Sequence, residues 1–442
     1  MSREELELEI LNYLKNNDDK CINCIDNNRK FIQEYYNEFD NSLAVKNFVN
    51  KLNDVLMNLT KFELVNKVLS HPAFKDIYKE FRGSDILIRA CKDAKNKKLV
   101  EWLLTEDIDL YLQDSEGKTA LMHASEHYQL LFAVEKLIKG SGDHIHVTDN
   151  NGNTALFYGN RDALTKMLKA NFDINHINND NENIFLYFCK ADKFKSFDLL
   201  LKLDIDFNLV NNVGKTGAMY LVEHNRFLQL KELITKKHID VNYKNKFGDT
   251  LVSIFIKNYY KNYSNYIGNF VSEVNYLQYK NAAFTLQELV RAGCDFNVII
   301  DDDGNTPIIF FLLTEDYVNA HYILSNCEID VSVTNRFDIS ASLLSEFINK
   351  SVFDRLQYHK KRNRKKFSYD TLVNLIRKNK TFDSKYGDSN NVSMNKQYRY
   401  FPSPNTPSIQ QWFLEFLYPK IGAEYYYVST FRATQLYNYA IS

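Results

Sequence analysis

One octet of residues recurs along this chain, and it limits the fold more than any other feature. It reads "DSEGKTAL" from Asp114, "DNNGNTAL" from Asp149, "NDNENIFL" from Asn179, "NNVGKTGA" from Asn211, "NKFGDTLV" from Asn245 and "DDDGNTPI" from Asp301. A looser copy, "NRFDISAS", starts at Asn335. The spacings are 35, 30, 32, 34, 56 and 34 residues. A second marker closes the repeats: Asp173-Ile174-Asn175, Asp206-Phe207-Asn208, Asp240-Val241-Asn242, Asp295-Phe296-Asn297 and Asp330-Val331-Ser332. Each follows a short apolar helical stretch such as "LTKMLKAN" or "LQELVRAG".

Asp or Asn with Gly supplies a tight turn containing a positive-φ position. The following Thr suits a helix N-cap. The unit reads as hairpin, helix, helix. Helices this short cannot bury a face alone, so neighbouring units must stack into one core. With 45% hydrophobic and 25% charged residues the chain is composed to fold. Few glycines (14) and prolines (6) favour helices over long glycine-rich loops. Asparagine-, lysine- and tyrosine-rich usage is read as coding bias rather than as a functional signal.

These octets resemble the ankyrin-repeat family, whose unit is about 33 residues with a T-P-L-H-x-A signature. Thr306-Pro307-Ile308 and Thr119-Ala120-Leu121 come nearest to it. The signature histidine is absent from every copy; Met122 stands in its place and His123 in that of a usual leucine. The resemblance spans roughly residues 84–383 and implies an all-α helical repeat solenoid with short β-hairpin turns. Its first unit lacks the turn glycine, as a cap would. Insertions are expected near 258–280 and 355–368. In the first, Tyr259, Tyr263, Tyr266 and Phe270 share one helical face, which reads as a lengthened helix packing its aromatics on the neighbouring repeat, with a partner-binding aromatic patch as the alternative.

The flanks differ. Residues 1–83 read as an N-terminal helical module or cap with Phe31, Tyr35, Leu52, Leu56, Phe62, Val65 and Leu69 as core. Residues 384–442 read as a linker followed by an aromatic-rich docking segment containing Trp412, Phe413, Phe416 and Leu417. The amino terminus lacks a signal-peptide pattern. No apolar run reaches the length of a membrane span, and a net charge of -1 gives no global attraction to nucleic acid. A cytoplasmic or nuclear protein is expected, with no membrane contact.

Several strings spell like active sites. Gly117-Lys118-Thr119 and Gly214-Lys215-Thr216 end like phosphate-binding loops, but Leu112 and Leu209 occupy the positions where the first glycine is needed. His123-Ala124-Ser125-Glu126-His127 spells H-x-x-E-H, which places two histidines on one helix face as zinc ligands require. A zinc hydrolase at His123 and His127, with Glu126 as base, is the enzymatic alternative; a packing histidine is the plain one. Cys21-x-x-Cys24 is half of a metal or redox pattern, with no second half. The run His359 to Lys366 holds Lys360, Lys361, Arg362, Arg364, Lys365 and Lys366. It reads either as a solvated insertion or as an import signal and contact for an acidic protein or nucleic acid.

The resemblance implies a non-enzymatic scaffold or adaptor, without cofactor or metal, binding a protein through hairpin tips and the concave face of the first helices. On this chain the tips are Ser115, Glu116 and Lys118; Asn150, Asn151 and Asn153; Asp180 and Asn181; Asn212, Val213 and Lys215; Lys246 and Phe247; Asp302 and Asp303. The helix-face positions are Glu126, His127, Glu223 and His224. Phe247 is the anchor that its chemistry favours. The alternative class is a nuclear regulatory adaptor working through the basic loop.

Overall fold

The computed structural model describes residues 2–37, 42–268, 273–301, 303–313, 316–336, 339–345, 374 and 376. The chain divides into two compact units, Met1–Asp206 and Phe207–Ser442.

The first unit opens with the helices Arg3–Asn16, Lys20–Asn27, Arg29–Asn37, Ser42–Leu56, Glu63–Leu69 and Lys75–Arg82. A capping box starts the first of them. The Ser2 hydroxyl accepts from the Glu5 N–H and the Glu5 carboxylate accepts from the Ser2 N–H, satisfying two N–H groups that a helix end leaves open. Leu52, Leu56, Phe62, Val65 and Leu69 are buried. Phe31 is not: it is 41% exposed and lies 6.2 Å from the half-buried Tyr35, while its neighbour Ile32 takes the core position. One step along a helix turns a side chain by about 100°, and that step moves Phe31 to the outer face. These helices pack on the first helix pair, Ile86–Cys91 and Lys97–Leu103. Trp102 stacks on Phe62 at 4.8 Å, and its indole N–H donates to Asn66 Oδ1 at 2.7 Å.

Three turn-and-helix units follow. In the first, Thr119 caps Ala120–Glu126 by accepting from the Met122 N–H. The next helix, Leu131–Ser141, follows a single 3₁₀ turn. Leu130, Ala133, Val134 and Leu137 fall at the period of a buried helix stripe and are fully buried. Each leucine so buried contributes about 2 kcal/mol. In the second unit the first helix shrinks to one 3₁₀ turn, Ala155–Tyr158, before Asn160 caps Arg161–Met167. The third unit pairs Ile184–Lys190 with the short Phe197–Leu200.

The turns share one hydrogen-bond scheme. At Asp114 the backbone N–H donates to Lys118 O (3.0 Å) and Gly117 N–H returns to Asp114 O (2.8 Å). The carboxylate Oδ1 accepts from the N–H groups of Glu116 and Lys118 at 3.0 and 2.9 Å. Asp149 repeats all of this. The third copy repeats it from Asn178, one residue before the octet read from sequence: Asn178 Oδ1 accepts from Asp180 and Glu182, and Asn181 holds φ at +60° where the other turns have glycine. The register is therefore Asn178, not Asn179. Among the described residues these turns feed no β-strand; the one bridge joins Thr334 and Ser340. Adjacent turns are tied instead by asparagines. Asn150 donates from its backbone to Glu116 O and from its side chain to Ser115 O, both at 3.0 Å. Asn179 does the same to Asn151 O and Asn150 O.

The second unit repeats the pattern at Asn211, Asn245, Asp301 and Asn335. Its helices are Gly217–Glu223 with Phe227–Lys236, Leu251–Gly268 with Glu273–Arg291, Pro307–Leu313 with Tyr317–Asn326, and Ala341–Leu344. The second pair is the expected lengthened one. Tyr259 is buried within it, with its hydroxyl 3.3 Å from Asp316 Oδ2. The Tyr263 and Tyr266 side chains and residue Phe270 lie outside the described residues, as do the insertion at 355–368 and the segment 384–442.

The closing markers form a second ladder. Asn208 Oδ1 accepts from the Asp240 N–H at 2.8 Å while its Nδ2 donates to His238 O at 3.1 Å. Asn242 holds Asp295 and Gly293 in the same way (2.8 and 3.3 Å), and Asn297 holds Asp330 and Glu328 (2.8 and 3.0 Å). Asp173, Asp240, Asp295 and Asp330 each turn their own carboxylate onto the N–H two residues on, as Asp240 does for Asn242 at 3.0 Å. The asparagines that composition suggests are coding bias thus carry the joints between repeats.

Two stability predictions follow from these joints. A Cβ on Gly117, whose φ is +76°, would sit 2.6 Å from Asn150 Oδ1 and 2.8 Å from its backbone nitrogen. Gly117→Ala should lower unfolding free energy by about 2 kcal/mol, whereas Asn181→Gly should cost little, as read by chemical denaturation. Asn242→Asp keeps the acceptor but cannot donate to Gly293 O. It should lose about 0.5–1.5 kcal/mol, close to the loss in Asn242→Ala.

Candidate functional site

The tips and first helices are where the sequence places partner contacts. In the first unit Ser115 and Glu116 are exposed, and Glu116 pairs with Lys118 at 2.8 Å. Lys118 is half-buried with its ammonium 4.9 Å from the centre of the Tyr158 ring. Asn150 and Asn151 are exposed, though Asn150 is already engaged in the turn-to-turn bonds. Asn153 is 3% exposed and donates to Asp149 Oδ2, so it belongs to the interior of its turn. Asp180 and Asn181 are exposed, with Asp180 paired to Lys190 at 2.9 Å. Glu126 is exposed, and His127 is partly covered with Nε2 3.1 Å from Lys92 O.

In the second unit Asn212 and Val213 are exposed. Lys215 pairs with Glu223 at 2.7 Å and lies over the Tyr220 ring. His224 is half-buried beside Tyr220, its Nε2 shielded and without a hydrogen-bond partner. Lys246 and Phe247 are exposed. Asp303 is buried and pairs with Arg336. Asp302 and the basic loop carrying Lys360, Lys361, Arg362, Arg364, Lys365 and Lys366 lie outside the described residues.

The H-x-x-E-H string has a different geometry from a zinc site. His123 Nε2 lies 2.9 Å from Asp114 Oδ2, the oxygen that Lys92 Nζ also reaches at 3.0 Å. Nine residues after each of three turn residues a first-helix side chain reaches back to it. His123 does so to Asp114, Tyr158 donates to Asp149, and Asn211 Nδ2 donates to the Tyr220 hydroxyl at 3.0 Å. His123 is therefore a brace for its turn, equivalent to two tyrosines. His127 is turned onto a backbone carbonyl. Among the described residues no group of three or more His, Cys, Asp or Glu is placed to hold a metal. Burial pushes the Cys21 thiol up to about 12 and raises Cys24 as well, the opposite of what thiolate redox chemistry requires.

The +9 brace is readable in the spacing once the register is known, yet nothing in a single copy announces it. A second feature, absent from the sequence reading, is a set of lysines over aromatic rings on the first-helix side. Besides Lys118 over Tyr158, Lys193 lies 5.6 and 5.7 Å from the ring centres of Tyr187 and Phe188. Burial lowers the Lys193 ammonium from its ordinary value, so this cation is partly desolvated beside its rings.

Asp114 gives a pH prediction. Burial pushes its carboxyl up, but His123, Lys92 and the N–H groups of Lys118 and Glu116 outweigh burial and hold it well below the usual range. A carboxyl depressed on folding stabilises the fold fully above its unfolded value of about 3.9, and that contribution is lost as pH falls below it. Asp114→Asn keeps the Oδ1 acceptor, as Asn211 and Asn245 do, and removes the charge. It should cost about 1–2 kcal/mol at neutral pH, and its denaturation curve should converge with the wild-type curve toward pH ~2.

Among the described residues no helix is long and apolar enough to cross a membrane. No curated protein matches the chain significantly. Among solved structures, the ankyrin repeat domain of Bcl-3, described as a unique member of the IkappaB protein family, is 17% identical, with 50% of this chain and 92% of that one covered and a TM-score of 0.37. An ankyrin repeat domain from Acinetobacter baumannii AYE is 20% identical (55% and 97% covered, TM-score 0.34). A chain from the complex of a predatory endopeptidase of Bdellovibrio bacteriovorus with an immunity protein is 21% identical (46% and 98% covered, TM-score 0.33). The chain matches the family model "Ankyrin repeats (3 copies)" over residues 87–159. That segment contains the turns at Asp114 and Asp149 with their first helices, and over it the chain carries ankyrin repeats.

Proposed function

We propose that this chain is a non-catalytic binding scaffold whose turn tips and first-helix side engage a protein partner. The observation that carries this reading is the locking of the tips. Each turn's acceptor holds the N–H four residues on; asparagine joints link successive turns of the first unit, and Lys246 Nζ ties the turn at Asn245 to Asn212 O in the second. Side chains such as Glu116, Asn151, Asp180, Val213 and Phe247 therefore stand exposed on a backbone that is already ordered. A preordered surface loses little conformational entropy on association. Energy in such interfaces concentrates in a few anchors surrounded by near-neutral polar contacts. Phe247 is the aromatic anchor of the second unit, and Glu116, Asn151 and Asp180 are polar contact positions of the first.

The test is affinity capture with mass spectrometry using the intact chain and a tip variant combining E116A, N151A, D180A, V213A and F247A. All five side chains are exposed, so thermal unfolding should be nearly unchanged. Partners retained by the wild type should be lost from the variant. Retention of the same partners at the same yield would overturn the reading.

A further inference from the structure

Among the described residues the third turn residue is exposed at five turns and buried at the turn of Asp301, where it is Asp303. In the first unit it is polar at every turn: Glu116, Asn151 and Asp180. In the second unit two successive turns, at Asn211 and Asn245, instead place Val213 and Phe247 there, 55% and 69% exposed. Two bulky apolar side chains at the same register position of successive turns expose area that water solvates poorly. Lys246 is fixed beside them. Its Nζ donates to Asn212 O at 3.2 Å and lies 5.2 Å from the centre of the Phe247 ring, tying the later tip to the earlier one.

The surrounding charges are unequal. Two carboxylates of these repeats are already neutralised, Glu223 by Lys215 at 2.7 Å and Asp249 by Lys257 at 2.8 Å, and Asp240 turns its carboxylate onto the Asn242 N–H. Lys244 and Lys246 are both exposed and flank Asn245 on either side. Neither is ion-paired within the described residues. The patch is thus an apolar pair bordered by two uncompensated cations. Its complement is an apolar side chain with carboxylates next to it.

We propose that Val213 and Phe247, with Lys244 and Lys246 at their border, seat a bulky apolar side chain of a partner protein segment that carries adjacent glutamates or aspartates. This rests on the scaffold reading above and names the chemistry of the partner at one part of that surface. The apolar pair supplies contact area, and the lysines select the charge of the flanks and speed encounter at low salt.

The experiment uses the full chain and three sets of short synthetic peptides. Each set centres on one leucine or phenylalanine, flanked by glutamates, lysines or serines; binding is read by fluorescence anisotropy. The glutamate-flanked set should bind at least about tenfold more tightly than the lysine-flanked set, and the advantage should shrink as salt rises. The double substitution V213A with F247A should weaken the glutamate-flanked set about tenfold or more. K244E with K246E should reverse the preference toward lysine flanks. Circular dichroism checks that both variants stay folded. Equal binding of all three sets, survival of tight binding in the V213A/F247A protein, or no binding of any set would overturn the proposal. If the five-residue tip variant loses its captured partners while the peptides show no charge preference, the partner chemistry fails and the scaffold reading stands.

Discussion

The structure depends on a side-chain oxygen placed inside its own turn. Asp114, Asp149, Asn178, Asn211, Asn245, Asp301 and Asn335 each turn Oδ1 onto a backbone N–H four residues on. A tight turn without strand pairing would leave those donors unsatisfied, at about 1–3 kcal/mol each where they are shielded from water. With the donors satisfied internally, a turn needs no neighbouring strand, and it can stand out from the helices with its tip free. Aspartate and asparagine serve equally because the shared requirement is one acceptor. The second oxygen or the amide nitrogen is then available for a brace from the following helix.

Stacking depends on a second use of the same chemistry. Asn150 and Asn179 bridge turns, while Asn208, Asn242 and Asn297 bridge the repeat ends. An asparagine amide presents one acceptor and one donor, as a peptide group does. It can therefore join two segments of backbone without β-structure. Helices of only seven residues, such as Ala120–Glu126 and Gly217–Glu223, would be marginal in isolation. They are held by buried apolar residues on one side and by these polar joints at their ends.

The repeat was legible because it needs specific residues at fixed offsets: an Asx acceptor, a positive-φ glycine and a hydroxyl cap. Legibility failed where one chemistry substitutes for another. Asn181 takes the glycine position, and a run of asparagines hides which one is the acceptor, so the octet pattern alone places the third copy one residue late. His123 looked like a ligand because its role as a brace is visible only beside Tyr158 and Tyr220, which share its offset but not its chemistry. Phe31 and Ile32 are both apolar, and only packing decides which faces inward. The tips Val213 and Phe247 could be placed on turns from sequence. Their isolation from neighbouring carboxylates could not, because Lys215 and Lys257 reach Glu223 and Asp249 across eight residues.

The clamp at Asn242 bears on how such a chain can change length. It joins residues 53 apart, where the clamps at Asn208 and Asn297 join residues 32 and 33 apart, yet the N–H bond to the next marker is 2.8 Å in all three. The inserted residues lengthen the Leu251–Gly268 and Glu273–Arg291 helices and leave the joint unchanged. Closing the larger loop costs only about 0.4 kcal/mol more in chain entropy, since that cost grows with the logarithm of loop length. Growth within a helix pair is nearly neutral for the array, whereas a residue added between a marker and the octet that follows it, as between Asp240 and Asn245, would displace that turn from its joint. The fold thus separates positions where length is free to drift from positions where it is held by hydrogen-bond register.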